Sequence, residues 1–420
     1  MSKFIIQGGG RLKGRVRAQG SKNAAFPVIA ATILAPGQFV IDNVPEITDV
    51  ESFLAIYKYL GGRWERRGHV LFLDSRKTRN RPLRRPMMEK LRGSVLYAGA
   101  LLGRFGKVEF AFPGGDAIGA RPIDVHLDGF QRLGASSRQQ RGGNFTVRGP
   151  RLRGADIVLS FTSVTGTENL ILAAVFARGR TTIKLAAAEP HVQNLCRFLH
   201  KLGARITGIG TSMLTIRGVA RLKTKASHKL CPDEIAAMTY AAAAAATRGA
   251  VTIDGVDLRY LDAPLAMLSR MGVKFAARGG KIIVRGPNKP YLPARIITGV
   301  YPQLLTDFQP LLGVLATQAR GESSVHDWIY EGRQGYLAAL RKMGAKVVLE
   351  DRHRAKITGP AQLRGARITT PDIRAGASIL IAALIAKGRS VIYNAEIIDR
   401  GYERIDERLR DLGAKIERVN

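Results

Sequence analysis

Leu202-Gly203-Ala204-Arg205-Ile206-Thr207 closes one kind of segment and opens another. Upstream, Val192, Leu195, Cys196, Leu199 and Leu202 recur three and four residues apart, the spacing of one helix face. Gly203 follows the last of them as a left-handed helix cap, and apolar and polar residues then alternate as in a half-covered strand. The same junction recurs at Leu60-Gly61, Leu133-Gly134, Met271-Gly272, Met343-Gly344 and Leu412-Gly413, with steps of 73, 69, 69, 72 and 69 residues. The chain is therefore read as six copies of one helix-cap-strand unit.

Each copy also opens with a helix rich in small residues: Asn23 to Leu34, Ser94 to Leu102, Thr167 to Ala177, Ile235 to Ala246, Asp307 to Ala316 and Ala375 to Ala386. Alanine on every face suits a helix packed inside the protein, whereas the Leu-Gly helices carry charges such as Arg341 and Lys342 for a wet face. The fold expected is α/β: six units with Ala-rich helices inside and sheets outside. A period near 70 residues is long for a solenoid, so closure into two globular triplets is expected.

At 420 residues and 45% hydrophobic content, the chain can fill two or three cores. The run Ile235 to Thr247 is shorter than the roughly 20 residues a bilayer span requires, and the first ten residues lack the apolar stretch of a secretory signal. No membrane association is expected, and the cytoplasm is the default compartment. Cys196 reads as a core residue and Cys231 as a loop residue; the seven histidines form no ligand-spaced pair, so no metal site and no cofactor are expected. The net charge of +33 raises the possibility of nucleic-acid binding. Yet the densest basic run, Arg76 to Arg92, has no interleaved aromatic platform, and basic residues are spread over the whole chain.

Chemistry concentrates in Pro113-Gly114-Gly115-Asp116-Ala117-Ile118-Gly119-Ala120-Arg121-Pro122-Ile123-Asp124. Three glycines and two prolines exclude regular structure here, while an acid and an arginine stand five residues apart in a loop expected to run from a strand ending near Phe112 to a helix beginning near Asp124. The starts of the small-residue helices carry Lys22-Asn23, Arg92, Ser163 to Gly166, Asp233, Asp307 and Arg374. Helix N-termini attract anions, and cations placed there oppose the helix dipole, so a ligand is expected to supply the compensating negative charge.

Gly20-Ser21-Lys22-Asn23-Ala24-Ala25, the 113–124 loop, Ser163 to Asn169, Thr306-Asp307, Tyr330-Glu331-Gly332-Arg333, Asp372 to Ala375 and Asp399 to Arg404 closely resemble the UDP-N-acetylglucosamine 1-carboxyvinyltransferase family of enolpyruvyl transferases. The resemblance runs from Lys3 to Val419 with the motifs in order. It implies two inside-out α/β domains, each of three repeated units with buried Ala-rich helices and outer sheets. These would be 22–230, carrying the loop 113–122, and 1–21 plus 231–420, with the active site in the cleft between them. The implied substrates are phosphoenolpyruvate and UDP-N-acetylglucosamine, with no cofactor. Lys22, Asn23, Arg121, Arg374 and Arg400 would hold phosphoenolpyruvate. Asn23, Arg92, Arg121, Pro122, Ile123, Asp124, Val125, Ser163, Val164, Asp307 and Ile329 would hold the nucleotide sugar. Asp116 is the implied proton donor and Asp307 the implied base, with Lys22, Arg121 and Arg400 also counted as catalytic.

Two positions depart from the family pattern: Asp116 stands where cysteine is usual, and Glu234 where arginine usually follows the aspartate. Two other functions compete with this one. A shikimate-type enolpyruvyl transferase would share the fold, but the nucleotide-binding run Arg121 to His126 speaks against it. A basic nucleic-acid binder would have no need of these motifs.

Overall fold

The computed structural model describes residues 2–140, 142–287 and 289–419. In it, the six cap glycines Gly61, Gly134, Gly203, Gly272, Gly344 and Gly413 all have φ between 78° and 98°, a left-handed conformation that a Cβ disfavours. Each ends an amphipathic helix: Thr48–Tyr59, Asp124–Arg132, Pro190–Lys201, Asp262–Arg270, Tyr336–Lys342 and Ile405–Asp411. A strand follows every one, from Arg63–Arg67 in the first copy to Lys415–Val419 in the last.

These strands build six sheets. Five have four strands in one pattern, a parallel edge strand joined to three strands in antiparallel array. An example is Arg295–Ile297 beside Gly321–His326, then Arg354–Gly359 and Lys346–Leu349. The sixth sheet, Lys107–Ala111, Asn144–Arg148 and Ser136–Gln139, has three strands, and its parallel edge is reduced to a bridge between Leu83 and Phe110.

The chain divides into two compact units: Gly20–Asp116 with Arg121–Cys231, and Met1–Gln19 with Ala117–Ala120 and Pro232–Asn420. We call them the first and second units. Three sheets belong to each. The second unit takes in the start of the chain because Lys3–Gln7 pairs with Arg389–Tyr393 and Lys415–Val419, and Lys13–Arg17 lies parallel to Ala250–Asp254.

The small-residue helices form as expected and are the inner layer of each unit. In the second unit, Glu234–Ala246, Gln309–Ala316 and Ile373–Ile385 pack on one another, and all 13 residues of the first of these are buried. In the first unit, Leu96–Phe105 packs against both Lys22–Ala31 and Val164–Ala174. Small residues permit this close approach. An ideal Cβ at Gly99 would sit 2.4 Å from the Asn169 carbonyl oxygen, and the Gly99 N–H donates to Asn169 Oδ1 at 2.8 Å. Gly99→Ala is therefore expected to lower stability by about 1–3 kcal/mol despite alanine's better helix propensity of about 1 kcal/mol, read as a lower urea midpoint with unchanged slope.

Among the described residues no helix is long and apolar enough to cross a membrane, and no group of three or more His, Cys, Asp or Glu side chains is placed to hold a metal ion. Cys196 and Cys231 are both buried, and among the described residues neither is in a disulfide.

Candidate active site

In the first unit the Lys22–Ala31 helix is capped by Ser21, whose Oγ accepts from the Ala24 N–H. Lys22 is its first residue, almost buried, with Asn23 half-buried beside it. The Lys22 ammonium lies 3.2 Å from Asp49 Oδ2. At Lys22 the protein itself supplies a negative charge, from Asp49 on the Thr48–Tyr59 helix, in addition to any that a ligand would bring. One turn on, the Phe26 ring lies against Gly93, which brings the Arg92–Val95 turn beside this helix.

The glycine-rich loop joins Lys107–Ala111 to the Asp124–Arg132 helix, and two arginines clip it. Arg92 Nη2 donates to the Pro122 carbonyl at 2.9 Å, with its guanidinium 5.7 Å from the Phe112 ring centre. Arg121 Nη2 donates to the Asp116 carbonyl at 2.6 Å. A Cβ on Gly115 would lie 2.7 Å from Arg121 Nη2 and 2.9 Å from Arg92 Cβ, so both clips need a glycine there. Asp116 and Arg121 are half-buried, Pro122 and Asp124 are exposed, and Ile123 and Val125 are anchored in the core.

Ser163 caps the Val164–Ala174 helix by accepting from the Gly166 N–H at 3.2 Å. A Cβ on Gly166 would come within 2.8 Å of Val125 Cγ1, so this helix start abuts the end of the loop. His126 fastens the two. Burial, aided by the charge of Arg92, pushes its pKa down to about 3, so the ring is neutral near pH 7. Asn169 accepts the Gly99 N–H at Oδ1 and therefore donates from Nδ2 to His126 Nδ1, at 2.8 Å. The ring proton then lies on Nε2, 3.4 Å from the Thr165 hydroxyl.

The second unit holds the other candidates. Asp307 precedes the Gln309–Ala316 helix and is engaged by two buried guanidiniums: Arg374 Nε at 3.0 Å and Arg333 Nη2 at 3.7 Å. Arg333 Nη1 also lies 3.7 Å from Asp372, and its Nε donates to Thr306 at 3.0 Å. Thr306 in turn donates to Asp327, whose other oxygen accepts the Ile329 and Tyr330 N–H groups at 3.1 Å. Asp307 and Ile329 are thus tied together through Thr306, Arg333 and Asp327. Burial, the largest influence on Arg374, lowers its pKa, but Tyr402, Asp307 and Asp233 outweigh it and hold the guanidinium charged.

Arg400 follows the short Glu396–Asp399 helix and is half-buried. Gln19 holds its neighbours from both ends, donating to the Gly401 carbonyl at 2.9 Å and accepting the Glu403 N–H at 2.8 Å. The loop tip Ala117–Ala120 also groups with the second unit. Here the Ala120 N–H donates to Glu331 Oε1 at 3.0 Å, and the Gly332 N–H donates to the Ile118 carbonyl at 2.9 Å. The Ala120 amide is the main reason the Glu331 carboxyl is held below its ordinary pKa.

Asp49 and Asp327 carry no signal in the sequence, whereas Arg333 and Asn169 are given no role of their own although they lie in the motifs Tyr330 to Arg333 and Ser163 to Asn169, and His126 counts only as the end of the run Arg121 to His126. Glu234, singled out as a departure, is fully buried, and burial with the neighbouring Asp233 pushes its pKa up to about 8. Between about pH 4.5 and 8 the unfolded chain has lost this proton and the folded one keeps it, so stability falls as pH rises through that window, by up to about 1.4 kcal/mol per unit. Glu234→Gln is expected to flatten this limb in thermal melts taken from pH 5 to 8.

Residues 6–409 match the EPSP synthase (3-phosphoshikimate 1-carboxyvinyltransferase) family. The chain belongs to the enolpyruvyl transferase family. A UDP-N-acetylglucosamine 1-carboxyvinyltransferase of Treponema denticola is 39% identical over 425 residues, covering 99% of each chain. One of Coprothermobacter proteolyticus is 41% identical over 423 residues, covering 100% of this chain and 98% of its own. Among solved structures, the enolpyruvyl transferase NikO of Streptomyces tendae superposes with a TM-score of 0.91 at 25% identity, covering 100% of this chain and 99% of that one. EPSP synthase of Acinetobacter baumannii, at 18% identity and a TM-score of 0.75 over the full length of both chains, shares the enolpyruvyl transferase fold.

Proposed function

We propose that the protein transfers the enolpyruvyl group of phosphoenolpyruvate to the 3'-hydroxyl of UDP-N-acetylglucosamine with release of phosphate. This is the first committed step of peptidoglycan precursor synthesis. The observation that carries the reading is full-length identity near 40% to relatives of that name, with every quoted motif in order. In this reading the protein acts in the cytoplasm and serves cell-wall growth, shape and division.

The geometry suits the chemistry. Asp307 takes the proton of the attacking hydroxyl as its oxygen bonds to C2 of phosphoenolpyruvate, and Asp116 protonates C3. The adduct then loses a C3 proton as the C2–O bond to phosphate breaks, which restores the vinyl group. Arg374 and Arg333 fix the direction of the Asp307 carboxylate, as a general base requires. Lys22, Asn23, Arg121, Arg374 and Arg400 hold phosphoenolpyruvate, with guanidinium forks matched to carboxylate and phosphate. Arg92, Arg121 to Val125, Ser163 and Val164 hold the nucleotide, while Asn23, Asp307 and Ile329 hold the sugar. Closure of the 113–122 loop on bound substrate is the step that would exclude water.

Phosphate release is expected with phosphoenolpyruvate and UDP-N-acetylglucosamine and not when shikimate 3-phosphate replaces the sugar nucleotide. The reverse preference would assign the protein to the shikimate-type reaction. UDP-N-acetylglucosamine is also expected to slow amide exchange between Pro113 and Pro122 on the order of tenfold or more, measured by mass spectrometry. Equal exchange with and without it would mean that the loop does not close on this ligand.

A further inference from the structure

Glu234 opens the Glu234–Ala246 helix and is 4% exposed, yet neither of its carboxylate oxygens meets a hydrogen-bond donor. Across the helix packing, Arg374 near the start of Ile373–Ile385 is also 4% exposed, and its Nη1 meets no acceptor. An ionised carboxylate buried without donors is strongly disfavoured, and so is a buried guanidinium face without an acceptor. The two half-satisfied groups act on each other electrostatically.

Charges face Glu234 from three elements: Asp233 from its own helix cap, Arg374 from the Ile373–Ile385 start, and Asp307 from the Gln309–Ala316 start. Behind them Arg333 lies between Asp307 and Asp372. Four carboxyls, Asp233, Glu234, Asp307 and Asp372, therefore share two guanidiniums, Arg333 and Arg374. Asp233 and Asp372 accept two backbone N–H groups each as helix caps, and Asp307 has both arginines. Asp233, Asp307 and Asp372 each have donors on Oδ1, whereas Glu234 has a hydrogen bond on neither oxygen, so it is the member on which a proton belongs.

We propose that Glu234 is a positioning residue that acts through Arg374. As an uncharged acid it leaves the guanidinium to an anionic substrate, and as a carboxylate it competes for that guanidinium. The proposal rests on the reading that Arg374 engages phosphoenolpyruvate. The proton on Glu234 and the anion on Arg374 then favour each other reciprocally. Affinity for phosphoenolpyruvate falls as pH rises through the Glu234 titration, by up to about tenfold per unit, while affinity for the nucleotide sugar does not.

Two measurements test this. The first is KM for each substrate from pH 7 to 10, a range in which the substrate phosphate is already ionised, in the parent and in Glu234→Gln, which fixes the uncharged form. The expected result is a KM for phosphoenolpyruvate that climbs in the parent and stays level in the variant, with a level KM for the sugar nucleotide in both. Matching profiles in parent and variant would overturn the proposal and leave the transferase reading standing. The second is the protonated-carboxyl carbonyl stretch at pH 7 in the infrared difference spectrum between the parent and Glu234→Gln, expected as a band lost in the variant, the buried Glu168 carboxyl contributing equally to both and cancelling. Its absence from the difference spectrum overturns the proposal whether or not the protein turns over these substrates.

Discussion

Fosfomycin is expected to leave this protein unmodified and active, and Asp116→Cys is expected to become covalently inactivated while still turning over substrate. Fosfomycin is an epoxide, and a thiolate at this position, where the resemblance makes cysteine the usual residue, would open it: a sulfur–carbon bond forms, a ring C–O bond breaks, and the freed oxygen takes a proton. A carboxylate is a far weaker nucleophile toward an epoxide. The structure gives the thiol of the variant a suitable setting, because Asp116 is half-buried in a loop clipped by Arg92 and Arg121, whose positive charge favours a thiolate. Intact-mass measurement after incubation decides the matter. An adduct on the parent, or none on the cysteine variant, would show that Asp116 does not occupy the attacking position.

Lys22→Ala is expected to reduce kcat/KM by on the order of a thousandfold, since it removes a charge-assisted contact to phosphoenolpyruvate in a water-poor site, worth several kcal/mol in the transition state. The same substitution removes the ammonium that lies 3.2 Å from Asp49, a carboxylate only 4% exposed, so a loss of stability is expected as well. Lys22→Met combined with Asp49→Leu separates the two effects. That pair of changes removes both charges from the buried site and should recover most of the stability, while activity stays low. Activity within tenfold of the parent in either variant would place the anion elsewhere. Arg400→Ala is expected to show an activity loss of the same order, read as kcat/KM for phosphoenolpyruvate.

The repeat, the inner helices and the outer sheets were all legible in the chain because their causes are local. A glycine behind the last apolar residue of a helix forces the left-handed cap at Gly61 or Gly203 whatever surrounds it, and alternation after it needs only one covered face. Even the odd sheet, whose parallel edge shrinks to the Leu83–Phe110 bridge, keeps the helix-cap-strand order. Residue chemistry in the 113–124 loop was equally plain, because glycine, proline and charge in one short run have few structural uses.

Partnership was not legible, for a physical reason. Lys22 with Asp49, Arg333 with Asp307 and Asp372, and His126 with Asn169 are 27, 26, 39 and 43 residues apart along the chain, and no period or propensity links them. Whether a cation at a helix start awaits a ligand or already has a carboxylate depends on which helix packs beside it. The same holds for ionisation: Glu234 is an ordinary acidic residue as a letter, and only burial beside Asp233 and Asp307, without a well-formed hydrogen bond on either oxygen, makes it the group that keeps its proton. The amino-acid sequence by itself determined the architecture and the kinds of groups at hand; tertiary packing decided which charges are matched, because burial and pairing are properties of surroundings that one stretch of chain does not contain.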